Sequence, residues 1–181
     1  MVDKKEGHPD VLWIFPLGAF RGEYLEKIAK GMAEQVPVEF LIQPPLHIPR
    51  QAYDSTRKKY NSTIILDQLK DLEAPTQSIL GVTEHDIFSP KWDYVFSESD
   101  MVLGVAVLSF LRLRQEFYGL KPDEYRFYHR ALSETVHVVG HLLGLRHCSD
   151  SYCVMCNTPT LVDLDRKGHR FCFRCKENFS R

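Results

Sequence analysis

The stretch His137-Val138-Val139-Gly140-His141-Leu142-Leu143-Gly144-Leu145-Arg146-His147-Cys148 decides how this chain is read. Its first two histidines are four residues apart, so on a helix they share a face, separated by about 6 Å along the axis. That separation suits two imidazoles converging on one tetrahedral zinc ion. Gly144 can take the left-handed conformation that ends a helix. The turn there brings His147 round as a third ligand. Three protein ligands with the fourth position vacant are the pattern of a catalytic zinc site.

Working outward, the helix that carries the histidines starts near Pro122, which suits a first helical turn, and runs to about Leu143. Upstream, Val11–Phe15 reads as a short buried strand, residues 18–35 as a helix and Val38–Ile42 as a second strand. Strand, helix, strand at this spacing predicts a right-handed crossover and a parallel pair. Residues 44–61 are polar, basic and irregular. A helix capped by Asn61 or Ser62 runs to Leu72, and Ser78–Val82 is a third strand. Residues 83–93 read as a loop. Tyr94–Phe96 reads as an edge strand, with a turn at Ser97–Asp100, and Val102–Leu111 as a central buried strand. Residues 1–10 read as a mobile terminus. No internal repeat or low-complexity segment is present.

The chain has 181 residues, 44% hydrophobic and 26% charged, with a formal net charge of -1. That bounds it to one domain, spanning 1–181, with a core of its own. Its upper part covers about 10–144 and its lower part about 145–181. No global basic field argues for nucleic acid or an anionic membrane. The apolar run Val11–Phe15 is too short for a signal-peptide core or a membrane span, so the expected location is cytoplasmic. Nothing in the sequence points to an oligomer, and a monomer is the default.

All five cysteines lie from Cys148 onward. Local Cys-x-x-Cys clusters in a chain read as cytoplasmic indicate metal binding rather than a disulfide framework. By spacing alone, Cys153, Cys156, Cys172 and Cys175 form two such pairs around a structural zinc. With few aliphatic residues after Gly144, this metal would stand in for a core there.

The extended pattern of three histidines with Gly144 resembles that of the metzincin clan of metalloproteases. Its continuation through Cys148, Cys153-Val154-Met155 and Cys172-Phe173-Arg174-Cys175 resembles the archaemetzincin family in particular. The resemblance is strong over 134–175. Upstream, Tyr60-Asn61-Ser62, Tyr94-Val95-Phe96 and Ser109–Leu113 look like family segments. It implies an α/β fold of mixed α+β type, with a twisted mixed sheet, an antiparallel edge strand beside the cleft, an active-site helix and a small Cys-rich lower part. It implies two zinc ions per chain, one held by His137, His141 and His147 and a second by Cys148, Cys153, Cys172 and Cys175. Met155 would lie under the first metal, and Cys156 would be an extra thiol.

The chain departs from the family at Val138, where the pattern has a glutamate that moves the proton from water to the leaving amine. Valine cannot do this, and such groups contribute about 10²–10⁴-fold. The expected state is a metal site with weak or absent peptidase turnover. Glu134 shares a helical face with His137, but its side chain tilts toward the helix N-terminus, so a basic partner or a ligand-orienting role is the expectation. Glu98 and Tyr152 are further candidate helpers. Two other functions compete. One is a noncatalytic zinc protein that binds peptides in the cleft. The other is a nucleic-acid module built on Arg166, Lys167, Arg170, Arg174, Lys176 and Arg181 interleaved with Phe171, Phe173 and Phe179. The neutral net charge makes a solvated rim the better reading of that basic set, so peptide or protein is the expected ligand, with no nucleic acid and no membrane.

Overall fold

The computed structural model describes residues 11–20, 22–72 and 78–179. The terminus at 1–10, read as mobile, lies outside the described residues. The strands are β1 (Val11–Leu17), β2 (Glu39–Ile42), β3 (Tyr53–Asp54), β4 (Lys59–Asn61), β5 (Ser78–Thr83), β6 (Ile87–Phe88), β7 (Ser97–Asp100) and β8 (Val105–Ser109). The α-helices are α1 (Glu23–Ala33), α2 (Ser62–Lys70), α3 (Glu124–Leu142), α4 (Leu161–Arg166) and α5 (Phe173–Phe179).

A five-stranded mixed sheet orders its strands β2-β1-β5-β8-β7. β1 pairs in parallel with β2 and β5, and β5 with β8, while β7 runs antiparallel to β8 at the edge. The expected parallel pair around α1 is therefore present. Every residue of β5 and β8 is buried, as expected for strands covered on both faces. On one face, Leu12, Ile14, Leu80, Val82, Ala106 and Leu108 meet α1 and α3. On the other, Leu17, Ile79, Val105 and Val107 meet Ile65 and Leu69 of α2. The core around α3 continues without a break into Cys153, Val154, Met155, Leu164 and Phe171.

Three expectations change. The edge strand is Ser97–Asp100, not Tyr94–Phe96, and the turn follows it. Asp100 Oδ1 accepts from the backbone N–H of Val102 and of Leu103, which closes the turn before β8. Val102 is 94% exposed at its tip, so the central strand starts at Val105. An edge strand needs only one row of backbone bonds and no apolar face, so Ser-Glu-Ser-Asp serves where hydrophobicity pointed to its neighbours. The stretches read as irregular and as loop also supply a small second sheet, β3-β4-β6. Asn61 caps α2 as expected, accepting from Thr63 N–H.

Candidate metal centre

α3 presents the histidines. Asp123 caps its start, and the apolar residues Phe127, Ala131, Leu132, Val136 and Val139 bury it against the sheet. Gly144 stops it at φ 85°. There the Gly144 N–H donates to the His141 carbonyl and the Leu145 N–H to the Gly140 carbonyl, both at 2.9 Å. These two bonds make a Schellman end that reverses the chain toward His147.

The ligand-capable nitrogens of His137, His141 and His147 lie within 4.8 Å of one another. His137 Nδ1–H donates to the Val154 carbonyl and His141 Nδ1–H to the Leu145 carbonyl, each at 2.8 Å. A carbonyl only accepts, so both rings are fixed with Nε2 as the bare nitrogen. Those two Nε2 atoms face each other at 3.2 Å. Two lone pairs at that distance repel unless a cation lies between them, and two ligands at about 2.0–2.1 Å in tetrahedral geometry are about 3.3 Å apart. The donor set therefore fits zinc. Burial pushes His137 down to about 4 and lowers His141 and His147 as well, which keeps the rings in the neutral form a metal requires. Met155 is fully buried beneath this turn of α3. A Cβ on Gly140 would come within 2.4 Å of Met155 Sδ, so glycine is what allows the approach.

The sulfurs of Cys148, Cys153, Cys172 and Cys175 form a second group, also within 4.8 Å of one another. Cys148–Cys172 and Cys153–Cys175 are each 3.8 Å apart. Four thiolates at about 2.3 Å from a tetrahedral zinc are about 3.8 Å apart, so this set fits the metal as well. Spacing alone puts Cys156 in this group. Its sulfur instead meets its neighbour's carbonyl, Asn157 O, while its backbone bridges to Cys148.

Val138 is 1% exposed and lies in the core rather than among the residues lining the cleft. The cleft is a cavity of about 810 Å³ walled by Phe96–Ser99, Trp92, Tyr94 and Asn157–Pro159, with the three histidines and Glu134 at its base. Glu134 Oε1 accepts from Ser97 Oγ at 2.7 Å, and Oε2 lies 3.5 Å from Lys167 Nζ. Burial raises the Glu134 carboxyl, but Lys167, His137 and Ser97 outweigh it and hold it below the ordinary value. Lys167 is lowered, because burial outweighs Glu134 there. Its ammonium also donates to the Cys156 carbonyl. Glu98 lines the cleft and is hydrogen-bonded to Ser62. Tyr152 is 73% exposed and is not among the cleft residues. Sequence reasoning missed Lys167 as a buried partner, since a lysine within a basic run carries no sign of burial. It also missed the carbonyls of Val154 and Leu145, which only the fold brings to the rings.

A mixed sheet with one antiparallel edge strand, a helix carrying two histidines, a third after a glycine turn and a methionine beneath them define a metzincin-type metallopeptidase scaffold. The family model described as Peptidase family M54 matches residues 23–181. The archaemetzincin of Methanocaldococcus jannaschii is 38% identical over 162 residues, covering 90% of this chain and 88% of that protein. The archaemetzincin of Archaeoglobus fulgidus is 34% identical over 164 residues, 91% of this chain and 95% of its own. The crystal structure of the Archaeoglobus fulgidus archaemetzincin complexed with malonate superposes with a TM-score of 0.80 at 32% identity, covering 93% of this chain and 99% of that one. A zinc-dependent peptidase from Methanocorpusculum labreanum gives a TM-score of 0.84 at 25% identity, covering 93% and 99%. The chain belongs to Peptidase family M54, the archaemetzincins, a zinc metalloprotease family. Among the described residues no helix is long and apolar enough to cross a membrane.

Proposed function

We propose that this chain binds two zinc ions, one through His137, His141 and His147 and one through Cys148, Cys153, Cys172 and Cys175, and that it binds peptides in the cleft with little or no turnover. The observation that carries the reading is Val138, an apolar side chain packed in the core at the position between His137 and His141 where a proton carrier is required. His137, His141 and His147 would hold the zinc, which would supply polarisation of a peptide carbonyl and activation of a water. The Val154 and Leu145 carbonyls orient His137 and His141, but the side chain of Val138 can neither accept nor deliver a proton. Glu134 is engaged by Ser97 and Lys167, which supports a structural role for its carboxylate over a catalytic one. The antiparallel edge strand Ser97–Asp100 offers backbone groups along the cleft wall, the usual way an extended peptide is held.

On this reading residues from about 145 onward form a lower part organised by the cysteine-held metal, and cysteines that hold a metal rather than pair in disulfides suit a reducing, cytoplasmic compartment. Pure peptide binding is the limiting case of the same proposal. Lys167 and Phe171 are both buried, which removes them from any basic and aromatic surface and favours peptide over nucleic acid. Elemental analysis of the purified chain tests the metals: the expected result is two zinc ions, one lost in His141→Ala and one in Cys172→Ser. A single zinc in the wild type would contradict the proposal.

A further inference from the structure

A second cavity, of about 660 Å³, neighbours the cleft, and the exposed His147 is among the lining residues of both. Arg146 and Arg174, both exposed, line the second cavity together with Ser149, Asn178 and two of the clustered cysteines, Cys148 and Cys175, and no carboxylate lines it. Elsewhere, arginines of this chain that approach the core are matched: Arg112 with Asp86, Arg114 with Glu84 and Arg130 with Asp165. Arg146 and Arg174 have no ion-pair partner among the described residues. Both lie next to candidate metal ligands in the chain. Arg146 directly precedes His147, and Arg174 lies between Cys172 and Cys175.

We infer that this cavity is a carboxylate-binding subsite, which takes an anionic group of a peptide lying in the neighbouring cleft. Two guanidinium groups with an amide and a hydroxyl nearby present the donors that a carboxylate accepts, and arginine engages it through two parallel N–H bonds. The apolar and hydrogen-bonding cleft would hold the peptide backbone, and the arginines would select for charge. The carboxylate is either an acidic side chain or the peptide's own C-terminus. The inference rests on the proposal that peptides occupy the cleft.

The test uses the full, zinc-loaded chain and short peptide hydroxamates, whose zinc-binding end fixes one point of each probe. One series walks a single glutamate through an otherwise neutral, amidated sequence, and one probe is the neutral sequence with a free C-terminal acid. Their affinities are compared with that of the neutral amide, in the wild type and in the Arg146→Gln/Arg174→Gln variant. A carboxylate-bearing probe is expected to bind about tenfold tighter than the neutral one at low salt, with the advantage shrinking as salt rises. The advantage should vanish in the double variant, while the neutral probe binds both proteins equally and so reports an intact cleft. Which probe gains distinguishes side chain from C-terminus. Equal affinities for charged and neutral probes would overturn the subsite and leave the peptide cleft standing. A double variant that keeps the charge preference, or that only loses zinc from the cysteine site, would overturn it as well, the latter by showing that the arginines merely balance the thiolates. No binding by any probe would overturn the peptide cleft and the subsite together.

Discussion

Lys167 shows how much one side chain can be asked to do in this molecule. Its side chain is fully buried, and it ties Glu134 on α3 to the carbonyl of Cys156, just past Met155. An ammonium and a carboxylate so placed cost several kcal/mol to desolvate and repay it only as a pair. Removing one partner is therefore worse than removing both. Lys167→Met is expected to cost about 3–5 kcal/mol, which for a domain of this size lowers Tm by roughly 2–4 °C per kcal/mol. The double variant Glu134→Gln/Lys167→Met should recover part of that loss in a thermal melt. Equal melting of the single variant and the wild type would show that the pair does not hold the segment.

At the scale of elements, the joint between α3 and the segment that follows sets the metal site. Gly144 has φ 85°, a conformation that costs a residue with a Cβ about 1–2 kcal/mol. Gly144→Ala is expected to lower stability by that amount and also to weaken zinc retention against a chelator, since His147 follows from the turn. Gly119, at φ 73°, is the control: Gly119→Ala carries similar backbone strain, closes no histidine turn and should leave zinc retention unchanged. This joint was legible in the sequence because its signals are local: histidines at helical spacing, a glycine, then the third histidine. The strands β1, β5 and β8 were legible for a related reason, being apolar runs bounded by turn residues. The edge strand was not, because Ser97–Asp100 gains its conformation from pairing with β8 rather than from its own composition. The choice between Cys148 and Cys156 was likewise not settled by spacing. It depends on how the chain folds back, with the Cys148 N–H bonded to the Met155 carbonyl.

At the scale of the whole molecule, sheet, long helix and C-terminal segment share one core that runs from Leu12 to Cys175. The two candidate metal centres adjoin, since His147 and Cys148 are neighbours in the chain. The family likeness covers residues 23–181, and the proposed function turns on Val138 within that span. On the proposed function, Val138 affects proton transfer and leaves metal binding, cleft and fold in place. Restoring the carboxylate is the direct test. Val138 lies in the core, so the variant also carries a desolvation cost, and its melting must be followed alongside its activity. The measurement is cleavage of a broad peptide library by the wild type and by Val138→Glu, with zinc content determined in both. The account predicts equal zinc in the two proteins and turnover that rises by about 10²-fold or more in the variant. Robust, chelator-sensitive cleavage by the wild type would contradict it, as would a folded, zinc-loaded Val138→Glu that cleaves no better.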